Sequence, residues 1–361
     1  MALSSRDLLS QLSNAAGTPG REEEVRAVIR RELAGLVEFS HDQLGSLICR
    51  RVGGSVAPRV MLAGHMDEIG FIVRYLTGDG FIKFHPLGGW WEHTLLAQQV
   101  TIRTAGGDVP GIVGAKPVHH LKEGARRNVQ DIEEMFIDVG ARDKQEAREK
   151  FGILPGDHIV PRTAFLALHN PRLVSGKAFD DRVGVALFVE ALRSLAVQEH
   201  PNTLYGVGTV QEEVGMRGAG TAVSLVQPDI AIVLEGAPAD DFPGSNGDEA
   251  QGVLGRGPQI RLFDPSMITN GKFAQFALQT ADDCRLPYQV AVRVSGGTDA
   301  KPVHLYGAGV PTIVLGVPVR YAHSHVGIIS LDDYEHTLQL LLALITRLDG
   351  KTVAEFTDFR D

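Results

Sequence analysis

Cysteine is scarce: the 361 residues hold only two. Cys49 and Cys284 lie far apart and form no C-x-x-C motif, which excludes thiolate zinc sites, a redox dithiol and a disulfide scaffold. Long apolar runs are also lacking. The longest, LLLALI at 340–345, falls far short of the ~20 residues that a bilayer-spanning helix needs. The N-terminal MALSSRDLLSQLSNAAG has no apolar core of signal-peptide length. Positive charge is in deficit, with 35 Lys and Arg against 44 Asp and Glu and a formal net charge of −9. That balance argues against nucleic acid or a membrane as a partner. The expectation is a reduced, cytoplasmic, globular protein. Its length allows two domains, or one large domain carrying an insertion.

What is present has two textures. After TPG at 18–20, Val25, Val28, Ile29, Leu33 and Leu36 recur at helical spacing, with Thr18–Pro19 as a start signal. RVMLAGH at 59–65 suits a buried strand of a parallel sheet. Short β-like pieces then follow, among them FIVRYL, FIKFHPL, QQVTIRT, DVPGIVGAK and DHIVPRT, with one charged helical piece, DKQEAREKFG. From about 177, strands alternate with helices: DRVGVALFVEALRSLA reads as a helix, and LYGVGTV, DIAIVLE and PTIVLGV as strands. The C-terminal helix begins at Ser330, which with Asp333 resembles a capping box. The expected fold is α/β: a mixed, mostly parallel sheet sandwiched by helices over 1–70 and 164–361. A small β-rich domain, 71–163, is inserted in it.

The strand endings carry the chemistry. RVMLAG ends on His65, with Asp67 two residues on; LYGVGTVQ ends on Glu212 and Glu213; DIAIVL ends on Glu235. Open α/β sheets bind ligands beyond the carboxyl ends of their strands. The loops GKAFDDRVG and YAHSHVG add Asp180, Asp181, His323 and His325. Imidazole with carboxylate and no thiolate suits Zn²⁺, Co²⁺ or Mn²⁺. The ligands are too many for one ion, but two ions sharing an Asp would use them, and such a pair acidifies a shared water. One glutamate of the pair would then bind metal and its neighbour would take the proton. Singly, each feature has a plain structural reading. H-x-D pairs cap turns, Asp180–Asp181 suits a helix N-cap, the glutamates suit a solvated edge, and His323–Ser324–His325 suits a turn. His119, His120 and His85 read as structural. Jointly, in order and at strand ends, they point to a site.

The series GHMDEIGFIV, GKAFDDRVG, GTVQEEVGMRGA, SGGTDA and RYAHSHVG resembles the tetrahedral aminopeptidases, the glutamyl-aminopeptidase/cellulase-M-like dinuclear metallopeptidases. The resemblance covers nearly the whole chain, including GIVGAKPVHHL and FIDVGARDKQEAREKFGILPGD of the inserted segment. It implies two divalent ions, zinc or cobalt. His65 and Glu235 would bind one, Glu213 and His323 the other, and Asp180 would bridge them. Glu212 would be the general base and later the acid. Asp67 would hold the tautomer of His65, and Asp181 would be a neighbour of the site. The inserted segment would be a PDZ-like dimerisation domain. Substrates would be peptides with a free N-terminus, which Glu213, Glu235 or Asp299 would anchor. The chain would assemble as dimers and as a hollow twelve-subunit tetrahedron. Glu235 stands where the family commonly has Asp, HSHVG replaces an HSP-type sequence and brings His325 near the site, and WWEHTLLAQQV replaces a turn-containing pattern.

Other readings remain open at this stage. A metal-dependent acyl-amino-acid deacylase would prefer a blocked N-terminus. A glycoside hydrolase would use two carboxylates on opposite sides of a sugar, which adjacent residues cannot provide. An assembly protein with a vestigial site would hold no metal.

Overall fold

The apolar run RVMLAGH forms the strand Arg59–His65, interior to a nine-stranded sheet. The computed structural model describes residues 3–120, 128–245 and 247–360. Among them the sheet order is Glu38–His41, Leu47–Val52, Thr203–Thr209, Arg59–His65, Ile230–Pro238, Thr312–Val319, Gln259–Asp264 and Met267–Ile268, with Gln289–Val292 also paired to Gln259–Asp264. Thr203–Thr209, Arg59–His65, Ile230–Pro238 and Thr312–Val319 run parallel; Leu47–Val52 and Gln259–Asp264 flank them antiparallel, and Gln289–Val292 pairs parallel to Gln259–Asp264. The sheet is therefore mixed with a parallel centre.

Helices on both faces explain why the central strands are apolar throughout. Val60, Leu62, Ile232, Leu234, Ile313 and Leu315 pack on one side with the helices Phe179–Ser194 and Leu331–Arg347. Met61, Ala63, Ala231, Val233 and Val314 face the other side, towards Arg217–Val226 and Ala300–His304. The period of two distributes the same run between two cores. Each fully buried Val, Leu or Ile contributes roughly 1.5–3 kcal/mol of transfer free energy.

Between Arg59–His65 and Phe179–Ser194 the chain makes a closed barrel. Its order is Gly70–Leu76, Ile82–Leu87, Phe136–Asp138, Gly107–Gly114, Gln99–Thr104 and His158–Pro161, all antiparallel. Closure leaves no open edge among these strands. Phe71, Ile82, Val100, Ile102, Val113, Ile137 and Ile159 fill it. The DKQEAREKFG piece supplies the helix Lys144–Glu149.

Several expectations need correction. Thr18–Pro19 starts no helix: the helix runs Glu23–Glu32, and the Thr18 hydroxyl lies 2.6 Å from His158 Nδ1 of the barrel. Ser330 does cap its helix, accepting from the amides of Asp332 and Asp333. The Asp333 carboxylate does not reach back to close a capping box; it accepts from Gly255 and Gly257 N–H. The segment tested only as a signal peptide holds the helix Ser5–Asn14, capped by Ser4. Among the described residues no helix is long and apolar enough to cross a membrane.

Candidate metal centre

The connections out of Arg59–His65 create a crevice. The chain leaves this strand to form Thr203–Thr209 on one side of it, then crosses to Ile230–Pro238 on the other. The strand order reverses at the carboxyl end of Arg59–His65, which is where open α/β sheets bind ligands. His65 stands at that end, buried. Its Nδ1 lies 3.1 Å from the Asp67 main-chain carbonyl and 3.5 Å from Asp67 Oδ1. A proton donated there leaves Nε2 as the free lone pair.

Nε2 of His65 lies 3.0 Å from Asp180 Oδ1 and 4.0 Å from Glu235 Oε2. The other Asp180 oxygen, Oδ2, lies 3.4 Å from His323 Nε2, which is 3.7 Å from Glu213 Oε2. His65, Asp180 and Glu235 thus form one triad, and Asp180, Glu213 and His323 a second, each with its ligand atoms within 4.8 Å of one another. Two ligands of a tetrahedral ion at Zn–N and Zn–O bond lengths stand about 3.4 Å apart. The observed separations straddle that value, so the donor set fits two ions that share one carboxylate.

Adjacent aspartates divide the work. Asp181 is fully buried and accepts from Gly184 N–H at 2.9 Å and from His65 N–H at 3.0 Å. The helix Phe179–Ser194 is non-helical at Asp180 and Asp181, so Asp181 caps its regular part and pins the end of the His65 strand, as the plain N-cap reading expected of the pair. Asp180 is left to face the crevice. A left-handed backbone at Ala178 (φ 56°) turns the chain into this pair. The close approach requires glycine: a Cβ at Gly236 would lie 2.6 Å from the Phe179 carbonyl oxygen and 2.7 Å from Asp180 Cα.

The paired glutamates do not end a strand. Thr203–Thr209 stops short of them, and Gln211 adopts φ 58°, which breaks the extended chain. Alternation along a strand therefore does not separate the two side chains. The Asp67 carboxylate does, accepting Glu212 N–H on Oδ1 at 2.9 Å and Glu213 N–H on Oδ2 at 3.0 Å. Glu213 enters a triad, while Glu212 belongs to neither among the described residues. Likewise Glu235 lies within its strand, which continues to Pro238. His323 sits exposed on the rim at φ 57°, its Nδ1 2.8 Å from the Gly89 carbonyl oxygen.

Electrostatics describe a cluster short of positive charge. Burial, then the neighbouring Asp299, Glu235 and Glu213, push Glu212 well above the usual carboxylate range. Burial and Asp181 do the same to Glu235, and burial raises Glu213 to about 7. Burial opposes ionisation of Asp180 as well, but hydrogen bonds from His323 and His65 hold it low. Burial disfavours the charge on His323, yet Asp180 and Glu213 raise it to about 10. Protons here stand where divalent cations would supply the missing charge.

Sequence reasoning missed what holds this crevice. The Lys177 ammonium donates to Glu68 Oε2 at 2.7 Å and to the Ala15 carbonyl at 3.0 Å. Arg182, fully buried, donates to the carbonyls of Leu12 at 2.6 Å and Ala15 at 3.1 Å. Gly17 N–H donates to Glu68 Oε1 at 3.1 Å. This network ties the end of the first helix to the two segments bearing His65 and Asp180. The signal was the opposite charges flanking the candidate ligands in HMDE and KAFDDR. Asp299 is buried against the Thr209 hydroxyl and outside both triads. His325 is buried beneath Trp90, and burial lowers it to about 4. His85, His119 and His120 are exposed and join neither triad.

A family model for M42 glutamyl aminopeptidases matches residues 45–340. A glutamyl aminopeptidase of Lactococcus lactis is 35% identical over 357 residues, covering 98% of this chain and 99% of its own. The crystal structure of a TET aminopeptidase from a marine sediment Thaumarchaeota archaeon superposes with a TM-score of 0.95 at 43% identity, covering 98% and 99%. The TET1 peptidase of Pyrococcus horikoshii, which can assemble into a tetrahedron or a large octahedral shell, gives 0.84 at 30% identity, covering 96% and 100%. The motifs, the crevice and these likenesses agree: the chain belongs to the M42 glutamyl aminopeptidase family.

Proposed function

We propose that the chain is a dinuclear metal-dependent aminopeptidase in which Glu212 moves the proton. Family membership carries the metal-dependent aminopeptidase activity. The observation that carries the finer reading is Asp180, which offers Oδ1 to the His65 triad and Oδ2 to the His323 triad. Two bound ions, zinc or cobalt, would polarise the scissile carbonyl and acidify a water. His65, Glu235, Asp180, Glu213 and His323 would hold them. Glu212, outside both triads and raised by burial, is poised to accept a proton and return it to the departing amine. Asp67 is a positioning residue, because its carboxylate orients Glu212 and Glu213 through their amides.

The expected substrates are peptides with a free N-terminus, and a carboxylate at the site would receive the ammonium. A homo-oligomer built on dimers, up to twelve subunits, is the assembly we expect, with the 71–163 segment forming the dimer contact. The exposed free thiol of Cys284 favours a reducing, cytoplasmic setting.

The test strips metal with a chelator and restores it ion by ion, following hydrolysis of an alanyl chromogenic amide. Activity should vanish and return at about two ions per chain. Return at one ion per chain sinks the dinuclear reading. Faster cleavage of an acetylated than of a free peptide would make the chain a deacylase. Activity on a β-glucan that survives chelation would make it a glycosidase.

A further inference from the structure

A cavity of about 640 Å³ opens beside His323, which lines it. Trp90, Trp91, Thr94, Gln98, Tyr321 and His325 line it. No Asp, Glu, Lys or Arg does so among the described residues. Trp90 is a fixed wall. It stacks on Phe71 at 4.7 Å, and its indole N–H donates to the Gly70 carbonyl at 3.0 Å. The ring of His325 lies 5.0 Å from that of Trp90. His325 is 2% exposed, and neither ring nitrogen has a hydrogen-bond partner. Trp91 and Tyr321 are exposed at 61% and 59%.

Large exposed aromatics round a concave cavity free of carboxylate, lysine and arginine are a binding feature, since folding alone would not leave them bare. A buried imidazole with both nitrogens unmatched is costly to the fold and has no structural role that explains it. The cavity also adjoins a metal triad through His323. We propose that it is the side-chain pocket of the peptide site, and that it takes a large uncharged side chain, aromatic or branched aliphatic. A lysine side chain would have to shed its hydration there without a counter-charge, and a glutamate would meet only His323, already engaged with Asp180 and Glu213. This inference rests on the peptidase reading above. Either the first residue of the peptide or the second would supply the side chain.

Trp90 and Trp91 are the only two tryptophans of the chain, so its tryptophan emission reports this cavity. The experiment titrates the metal-loaded protein with L-phenylalanine, L-lysine and L-glutamate and follows that emission. It also compares kcat/KM for Phe-Ala and Ala-Phe, and for Lys-Ala and Ala-Lys, against Ala-Ala. L-phenylalanine should change the emission saturably at concentrations at least about tenfold below the charged amino acids, the scale of discrimination an apolar pocket supplies. One dipeptide series should show the same order and so name the residue bound. Gln98→Glu should narrow the gap between lysine and phenylalanine in that series. A charged amino acid binding more tightly overturns the proposal. So do peptides cleaved while the emission stays silent. Emission that responds without cleavage of any peptide leaves the pocket standing and removes the peptidase reading.

Discussion

Asp67 accepts the backbone N–H of Glu212 at 2.9 Å with the same carboxylate that accepts Glu213 N–H at 3.0 Å. One fully buried side chain thus sets the directions of two neighbouring acids.

Replacing each glutamate by glutamine should separate them. Glu212→Gln should lower kcat by about 10²–10⁴-fold while the metal content of the purified protein stays at the wild-type level. Glu213→Gln should lower metal content itself, because it removes a member of the second triad. Elemental analysis beside kcat decides this. A Glu212→Gln protein that keeps wild-type turnover refutes the base assignment.

Asp67→Ala should act through geometry. It leaves two amides without their acceptor, which costs roughly 1–3 kcal/mol for each buried group left unpaired. Loosening the orientation of Glu213 should weaken metal binding by about 10–100-fold. Chelator competition titration measures it, and an unchanged affinity would show that Asp67 does not position the pair.

Stability of the metal-free protein should fall as pH rises. Folded Glu213 binds its proton up to about 7, against 4.5 ordinarily, and His323 up to about 10, against 6.5. Both groups hold the proton more tightly folded than unfolded. Their stabilising contribution is therefore full below 4.5 and 6.5, and is lost as pH climbs through about 7 and about 10. Bound cations replace those protons. The gap in melting temperature between metal-loaded and chelator-treated protein should widen from about pH 6 to about pH 9. A constant gap across that range refutes the linkage.

Gly236→Ala should displace Asp180. Its new Cβ would meet backbone on both sides, at 2.6 Å from the Phe179 oxygen and 2.7 Å from Asp180 Cα, and neither atom can swing aside. Overpacking of this kind costs about 1–3 kcal/mol. Denaturant titration and metal analysis should show lost stability and lost metal together.

The candidate ligands were legible because each breaks a local rule. A carboxylate within an apolar run, like Glu235, or acids beside a glycine-rich turn, like Glu212 and Glu213, costs free energy that only a partner repays. The sheet was legible because its central strands alternate between two cores and so read as unbroken apolar runs. The buried trio Glu68, Lys177 and Arg182 was not, since a charge on a loop looks solvated until the fold shows what covers it. Nor was the Gln211 turn, because one residue at positive φ leaves no periodic trace. The Trp90 wall was hidden for another reason: its partner His325 is distant in sequence and comes from the loop before Gly327–Ser330, outside the barrel that holds Phe71.

The shared Asp180 also orders events in time. A chain emerging from its N-terminus completes the first triad only when Glu235 has appeared, and the second only when His323 has. The His323 loop comes after the strand Thr312–Val319, later in the chain than every other member of the two triads. During synthesis the second triad therefore stays incomplete until the His323 loop has been made. A chain that stops between Glu235 and His323 can therefore assemble the first triad but not the second.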